Sequence, residues 1–211
     1  MAARTPKKQK SALYSLIELV VTVAVAVGLA FLIQAFIVKP YRIPSGSMEP
    51  TLAIGQRILV NRLSTHPGVG DVVVFHPPAG ATDYGSGNGV CGNRSQGAGH
   101  AQACDRPTSK ESSQTFVKRV VGLPGDHLRI LGGHVIRNGV REKDSYILAC
   151  QQGGEVCNFP KPIVVPPGDY YMMGDNRGFS DDSRFWGPVP GKWIIGEAFF
   201  TYWPLDRIGT L

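Results

Sequence analysis

The 211-residue chain carries 22 Lys+Arg against 16 Asp+Glu, a formal net charge of +6, with 26 Gly and 16 Pro. Arg4, Lys7, Lys8 and Lys10 fall in the first ten positions without an acid, so +4 of the +6 is local and +2 is left for the rest. That argues against a nucleic-acid-binding face and fits the basic flank of a membrane segment. The Gly and Pro content favours turns and short strands over long helices.

Leu19 to Val38 is a twenty-residue run whose polar side chains are only Thr22 and Gln34. As a helix it spans about 30 Å, the thickness of a hydrocarbon core. The competing reading is a cleaved secretory signal. Its apolar region is shorter, about 7–15 residues, and small residues follow it; here the run is longer and ends in Ile37-Val38-Lys39-Pro40. The expected organisation is a basic cytoplasmic tail at 1–15, an uncleaved anchor at 16–38 and an extracytoplasmic domain at 39–211. Orientation follows from the excess of basic residues before the helix over Lys39 and Arg42 after it. The roughly 170 remaining residues are enough for one domain with its own core.

Beyond Pro40 short apolar runs recur between turn formers: Arg57–Val60, Asp71–Phe75, Thr115–Val121, His127–Leu131, Ile163–Val165, Asp169–Met173 and Ile194–Trp203. Asn138-Gly139 predicts a hairpin after His134–Arg137. The fold expected is mainly β: a mostly antiparallel sheet with a smaller inserted β subdomain. Residues 77–114 look like a Gly/Ser-rich surface insertion, and 132–162 like a second insertion. Cys91 and Cys104 flank one loop, Cys150 and Cys157 another. Even number and loop context point to disulfides in an oxidising compartment. Three connectivities are possible, and sequential pairing is the expectation. The absence of a C-x-x-C pair speaks against a zinc site. Phe199-Phe200-Thr201-Tyr202-Trp203-Pro204 either reaches a membrane interface or ends a core strand in a turn.

Three segments concentrate chemistry. Ile43-Pro44-Ser45-Gly46-Ser47-Met48-Glu49-Pro50-Thr51-Leu52 sets two serines around a glycine between stiffening prolines. In Thr115–Asp126, strand alternation puts Phe116, Lys118 and Val120 on one face. That makes Lys118 either an edge residue reaching outward or a desolvated amine. The third, Met172–Gly187, packs Asp175, Asp181, Asp182, Arg177 and Arg184 beside Phe185 and Trp186, which suggests partly buried ion pairs. Its spacing does not follow an EF-hand calcium loop.

Together these segments resemble the type I signal peptidase family. An N-terminal anchor is followed by PSGSMEPTL at 44–52, GDVVVF at 70–75, KRVVGLPGD at 118–126 and GDNRGFSDDSRFWG at 174–187. The resemblance implies a Ser/Lys serine protease with Ser47 as nucleophile and Lys118 as general base. It implies that Ser45 contributes to the oxyanion hole and that Ser180 hydrogen-bonds the lysine. Asp182 and Arg184 match a supporting ion pair, and Asp175 a further structural acid. Ile43, Met48, Leu52 and Val117 match substrate-pocket positions. The chain departs from the pattern at Gly178-Phe179, where many members carry a polar pair, at Phe116, often tyrosine, and at Asp181, alanine in some.

The chemistry agrees with that resemblance. A serine hydroxyl needs a base, and the five histidines lie in turns, insertions or strand ends. No G-x-S-x-G elbow is present. A free lysine amine titrates near pH 10.4, so a lysine base must be held neutral far below that. The mechanism needs no cofactor or metal. The expected partners are membrane lipid and exported preproteins cut after A-x-A-type sites, with no nucleic acid. Two alternatives are a non-catalytic membrane-tethered β domain and a Ser/Lys protease with another substrate.

Overall fold

The structure is a computed structural model that describes residues 12–81, 91–150 and 155–211. The basic residues at 4–10 and part of the glycine-rich insertion, 82–90, lie outside the described residues. The chain divides into two compact units, Met1–Val38 and Lys39–Leu211.

The first unit holds helix α1 (Ala12–Phe36). At 1.5 Å per residue its 25 residues extend about 37 Å, enough to cross a bilayer core. The helix starts ahead of the expected run, because Leu13, Leu16 and Ile17 continue its apolar surface. It stops two residues early, because Pro40 forces the preceding residue to be extended. Thr22 donates its hydroxyl to the Glu18 carbonyl at 2.7 Å, hiding its one polar group within the helix.

The second unit is built from antiparallel strands. These are β1 (Val38–Arg42), β2 (Arg57–Asn61), β3 (Val72–Phe75), β4 (Phe116–Gly122), β5 (His127–Leu131) and β6 (His134–Arg137). Then come β7 (Val140–Arg141), β8 (Phe159–Val164), β9 (Asp169–Met173), β10 (Val189–Pro190), β11 (Ile194–Trp203) and β12 (Gly209–Thr210). A one-turn helix, α2 (Ser183–Trp186), follows β9. The larger sheet has the order β1-β2-β11-β3-β4-β9-β10, with β12 on β11; the smaller has the order β7-β6-β5-β8.

Alternation along β3 shows how the cores form. All four of its residues are buried. Val73 and Phe75 join a core between the two sheets with Leu128, Ile130, Met172 and Trp186. Val72 and Val74 face the opposite way, into a second cluster with Ile43, Met48, Leu52 and Ile58. A strand covered on both faces reads as a continuous apolar run, and GDVVVF does.

The predicted hairpin joins β6 to β7. Asn138 and Gly139 both have positive φ, 53° and 84°, as the tight turn requires. The segment after β7 is a strap on the main sheet. His134 Nδ1 meets Asp144 Oδ2 at 2.9 Å, the Tyr146 ring lies 4.2 Å from the Arg119 guanidinium, and the Leu148 N–H donates to the Asp175 carbonyl.

The glycine-rich insertion is a support as well as a surface loop. The Cys104 N–H donates to the Arg184 carbonyl at 3.0 Å. Gly97, at φ 83°, runs so close that a Cβ there would stand 3.0 Å from the Phe185 carbonyl. Part of its glycine content thus allows it to pack against the backbone of α2. At the other end of the chain, residues 199–203 are the end of β11, as the core-strand reading expects. Thr201 is buried, while Phe199 and Trp203 are exposed.

Candidate active site

Ser47 lies in a single 3₁₀ turn, Gly46–Met48, whose three residues are buried. The turn is held through its carbonyls. The Asn176 backbone N–H donates to the Ser47 carbonyl at 3.1 Å, and Asn176 Nδ2 donates to the Gly46 carbonyl at 3.2 Å. Beneath it Gly174 leaves no room for a side chain. A Cβ there would collide with the Ser47 carbonyl oxygen and with Ser180 Oγ.

Lys118 comes from β4, which runs between β3 and β9 in the interior of the large sheet. The edge reading of this lysine is therefore overturned: it is only 4% exposed. Its Nζ lies 2.6 Å from Ser47 Oγ and 5.6 Å from the centre of the Phe116 ring. The two residues are 71 positions apart in sequence, and the sheet brings them into contact.

The hydroxyl of Ser45 donates to Ser47 Oγ across 3.4 Å. Ile43, Pro44, Met48, Phe116 and Val117 line a small pocket that opens onto Ser47 and Lys118. Leu52 stands behind this wall, fully buried against Ile43 and Met48.

Ser180 departs from the expected geometry. Its Oγ is buried and makes no hydrogen bond, so the expected bond to the lysine is not formed. Packing against Gly174 fixes its place, with the serine hydroxyl set over the glycine Cα.

The loop from Gly174 to Gly187 carries two ion pairs. Asp182 and Arg184 are fully buried and bonded twice, Nε to Oδ1 at 2.8 Å and Nη2 to Oδ2 at 2.8 Å. Asp182 also caps α2 and accepts the Gly174 N–H at 3.1 Å. Burial by itself would raise the Asp182 pKa. The Arg184 charge and hydrogen bonds and the Gly174 N–H outweigh it and hold the carboxyl below its usual range. The ion pairs expected to be partly buried are thus more deeply enclosed than the sequence indicates.

The second pair joins Asp175 to Arg119, at Nε–Oδ1 2.9 Å and Nη2–Oδ2 2.6 Å. Thr51 Oγ1 donates to the same carboxylate at 2.6 Å, and Arg119 Nη1 donates to the Gly70 carbonyl at 2.6 Å. Burial opposes the Arg119 charge, but the hydrogen bond and charge of Asp175 prevail and raise its pKa.

Sequence reasoning missed Arg119, Thr51 and Asn176 as members of the site. One signal for Arg119 was available: a charged residue within an otherwise apolar central strand requires a buried partner. Arg177 was noted only as part of a charged loop. It is 1% exposed and donates to the Gly174 carbonyl at 3.0 Å and to the Gly133 carbonyl. Burial, then the neighbouring Arg184 charge, lowers its pKa.

Disulfides join Cys91 to Cys104 and Cys150 to Cys157. The second closes the strap beside the Asn176 loop.

A buried serine and lysine in contact, beside a narrow apolar pocket, have the composition of a peptide-hydrolysing site. Comparison with known proteins gives the same answer. The family model for signal peptidase, peptidase S26, matches residues 16–203. A signal peptidase I from Leptolyngbya laminosa is 35% identical over 215 residues, covering 100% of this chain and 89% of that protein. A probable signal peptidase I-2 from Synechocystis sp. is 34% identical over 210 residues, covering 97% and 81%. Signal peptidase IB of Staphylococcus aureus is 30% identical over 208 residues, covering 91% and 92%. A crystal structure of a signal peptidase I from Enterococcus faecalis aligns with 62% of this chain and 95% of its own at TM-score 0.42 and 22% identity. The chain belongs to the S26 signal peptidase family of serine endopeptidases.

Proposed function

We propose that this chain removes signal peptides from exported preproteins by a Ser47/Lys118 dyad. The 2.6 Å contact between Lys118 Nζ and Ser47 Oγ, enclosed in the protein, carries the reading. Burial disfavours the ammonium form of Lys118. The neutral amine accepts the Ser47 proton as Oγ attacks the scissile carbonyl. The oxyanion takes hydrogen bonds from the Ser47 backbone N–H and, after a turn about its Cα–Cβ bond, from the Ser45 hydroxyl. Lys118 then passes its proton to the leaving amine. Water, deprotonated by the same amine, hydrolyses the acyl-enzyme.

The pocket of Ile43, Met48 and Val117 is small, which supports a preference for small side chains before the cut. In this reading α1 spans the cell membrane with its N-terminus in the cytoplasm. The second unit lies outside, where disulfides persist. The exposed Phe199, Trp203, Leu205 and Ile208 support contact of that unit with the lipid interface. The test uses purified full-length protein and a preprotein with an A-x-A site. Wild type cleaves once, after that site, and Ser47→Ala and Lys118→Ala each abolish cleavage. Unchanged cleavage by either variant refutes the dyad.

A further inference from the structure

We propose that the groove beside the Cys150–Cys157 disulfide binds the substrate segment after the cleaved bond, and that it selects uncharged, apolar side chains there. This rests on the peptidase reading above and extends it to the other side of the cut.

The groove is lined by Leu148, Ala149, Val156, Asn176, Gly178 and Phe179 together with the disulfide. Asn176 ties it to the reaction centre. The same residue that lines the groove holds the Ser47 and Gly46 carbonyls. Leu148 pairs with Asn176 in a short parallel bridge, so the groove adjoins the nucleophile's turn through Asn176. The pocket of Ile43, Met48 and Val117 and this groove share no lining residue among the described residues. A peptide advances about 3.3 Å per extended residue. The groove is therefore within reach of the first few residues beyond a bond held at Ser47.

Its walls are built before substrate arrives. Arg184 Nη1 donates to the Val156 carbonyl at 3.0 Å, and the Gly133 N–H donates to the Cys157 carbonyl at 2.9 Å. The Leu148 N–H and carbonyl are both taken, by the Asp175 carbonyl and the Arg177 N–H. A substrate strand therefore cannot pair with Leu148 itself, and the recognition proposed is through side chains. Among the described lining residues no side chain is charged, while Leu148 and Phe179 are 43% and 48% exposed. Phe179 also stands where the family resemblance leads one to expect a polar residue. Exposed apolar side chains on a rigid wall next to a peptide-cleaving serine fit an apolar peptide segment.

The experiment uses the full-length protein and peptides with one A-x-A site. Leu or Asp is placed at the second and third positions after the cut. Wild type is expected to favour Leu over Asp by about tenfold in kcat/KM. Leu148→Lys and Phe179→Lys are expected to reduce or reverse that ratio by a similar factor. Free peptides matching only the segment after the cut should inhibit wild type, the Leu peptide more strongly than the Asp peptide, and Phe179→Ser should weaken this. Cleavage that is indifferent to these positions, or Lys variants with an unchanged ratio, overturns the groove while leaving the peptidase reading intact. Loss of the Leu preference on adding neutral lipid vesicles, with the A-x-A requirement kept, assigns the groove to lipid and overturns the proposal. Failure of wild type to cut any of the peptides removes the underlying reading.

Discussion

The two arginine–aspartate pairs around Ser47 differ in reach and in enclosure. Arg119–Asp175 joins residues 56 apart and ties the lysine's strand to the Asn176 loop. Its arginine side chain keeps 11% of its surface in solvent, and a threonine hydroxyl, a carbonyl and a tyrosine ring share the load. Asp182–Arg184 joins residues two apart and is wholly buried. From that local pair bonds run outward to the Gly174 N–H and the Val156 carbonyl. The first pair positions one strand against one loop. The second shapes the loop itself, and the disulfide groove leans on it.

Breaking the second pair should therefore cost most. Asp182→Asn leaves two buried guanidinium groups, Arg184 and Arg177, near each other without that carboxylate. A loss of about 3–5 kcal/mol is expected, read as a fall in the unfolding midpoint in detergent. Asp175→Asn should cost less, about 1–3 kcal/mol, because Arg119 reaches solvent and keeps its bond to Gly70. Equal losses would show that reach, not burial, sets the cost. A double change, Asp182→Leu with Arg184→Met, should be milder than either single one, since it removes the Arg184 charge together with its carboxylate.

Gly174→Ala tests the ground between the pairs. The added methyl must displace Ser180 or the Ser47 carbonyl, and overpacking of this kind costs about 1–3 kcal/mol. Activity should fall further than stability, because both displaced groups border the dyad; kcat against melting temperature separates the two. Asn176→Ala removes one side-chain bond to the Ser47 turn while the backbone bond remains. Its cost should be about 1 kcal/mol in stability, with a larger drop in kcat.

Acid provides the smallest and most selective probe. The Asp182 carboxyl is held below its unfolded value, near 3.9. Its stabilising contribution is complete above the usual carboxylate range. It is lost as pH falls through that range toward the folded value. Unfolding midpoints measured from pH 7 to pH 3 should decline for wild type and decline less steeply for Asp182→Asn. Parallel slopes would mean that other carboxylates dominate.

Most of the strands were legible in the sequence: β5 is bounded by turns and carries the period-2 pattern in full, and β9 is a short apolar run between turns. Tight turns were legible at Asn138-Gly139 because the conformation demands those residues. Local sequence could not reveal partners brought together by the sheet. Arg119 finds Asp175 across the β4–β9 pairing, and Thr51 and Tyr146 arrive from separate loops. Lys118 was ambiguous for the same reason: strand alternation gives its face, and only the strand order places it in the interior. The insertion at 77–114 looked like plain surface because its glycines gave no apolar pattern. Its contact with α2 runs through backbone, which composition does not record. The Ser180 bond expected from family resemblance is absent because its hydroxyl packs on Gly174.

The central claim is that Lys118 acts as a neutral amine on Ser47. The pH dependence of kcat/KM for one A-x-A peptide tests it most directly. The account predicts an acid limb centred well below pH 10.4, the ordinary value for a lysine amine, and complete inactivity of Lys118→Arg, which cannot shed its proton. A limb near pH 10.4, or an active arginine variant, would contradict it.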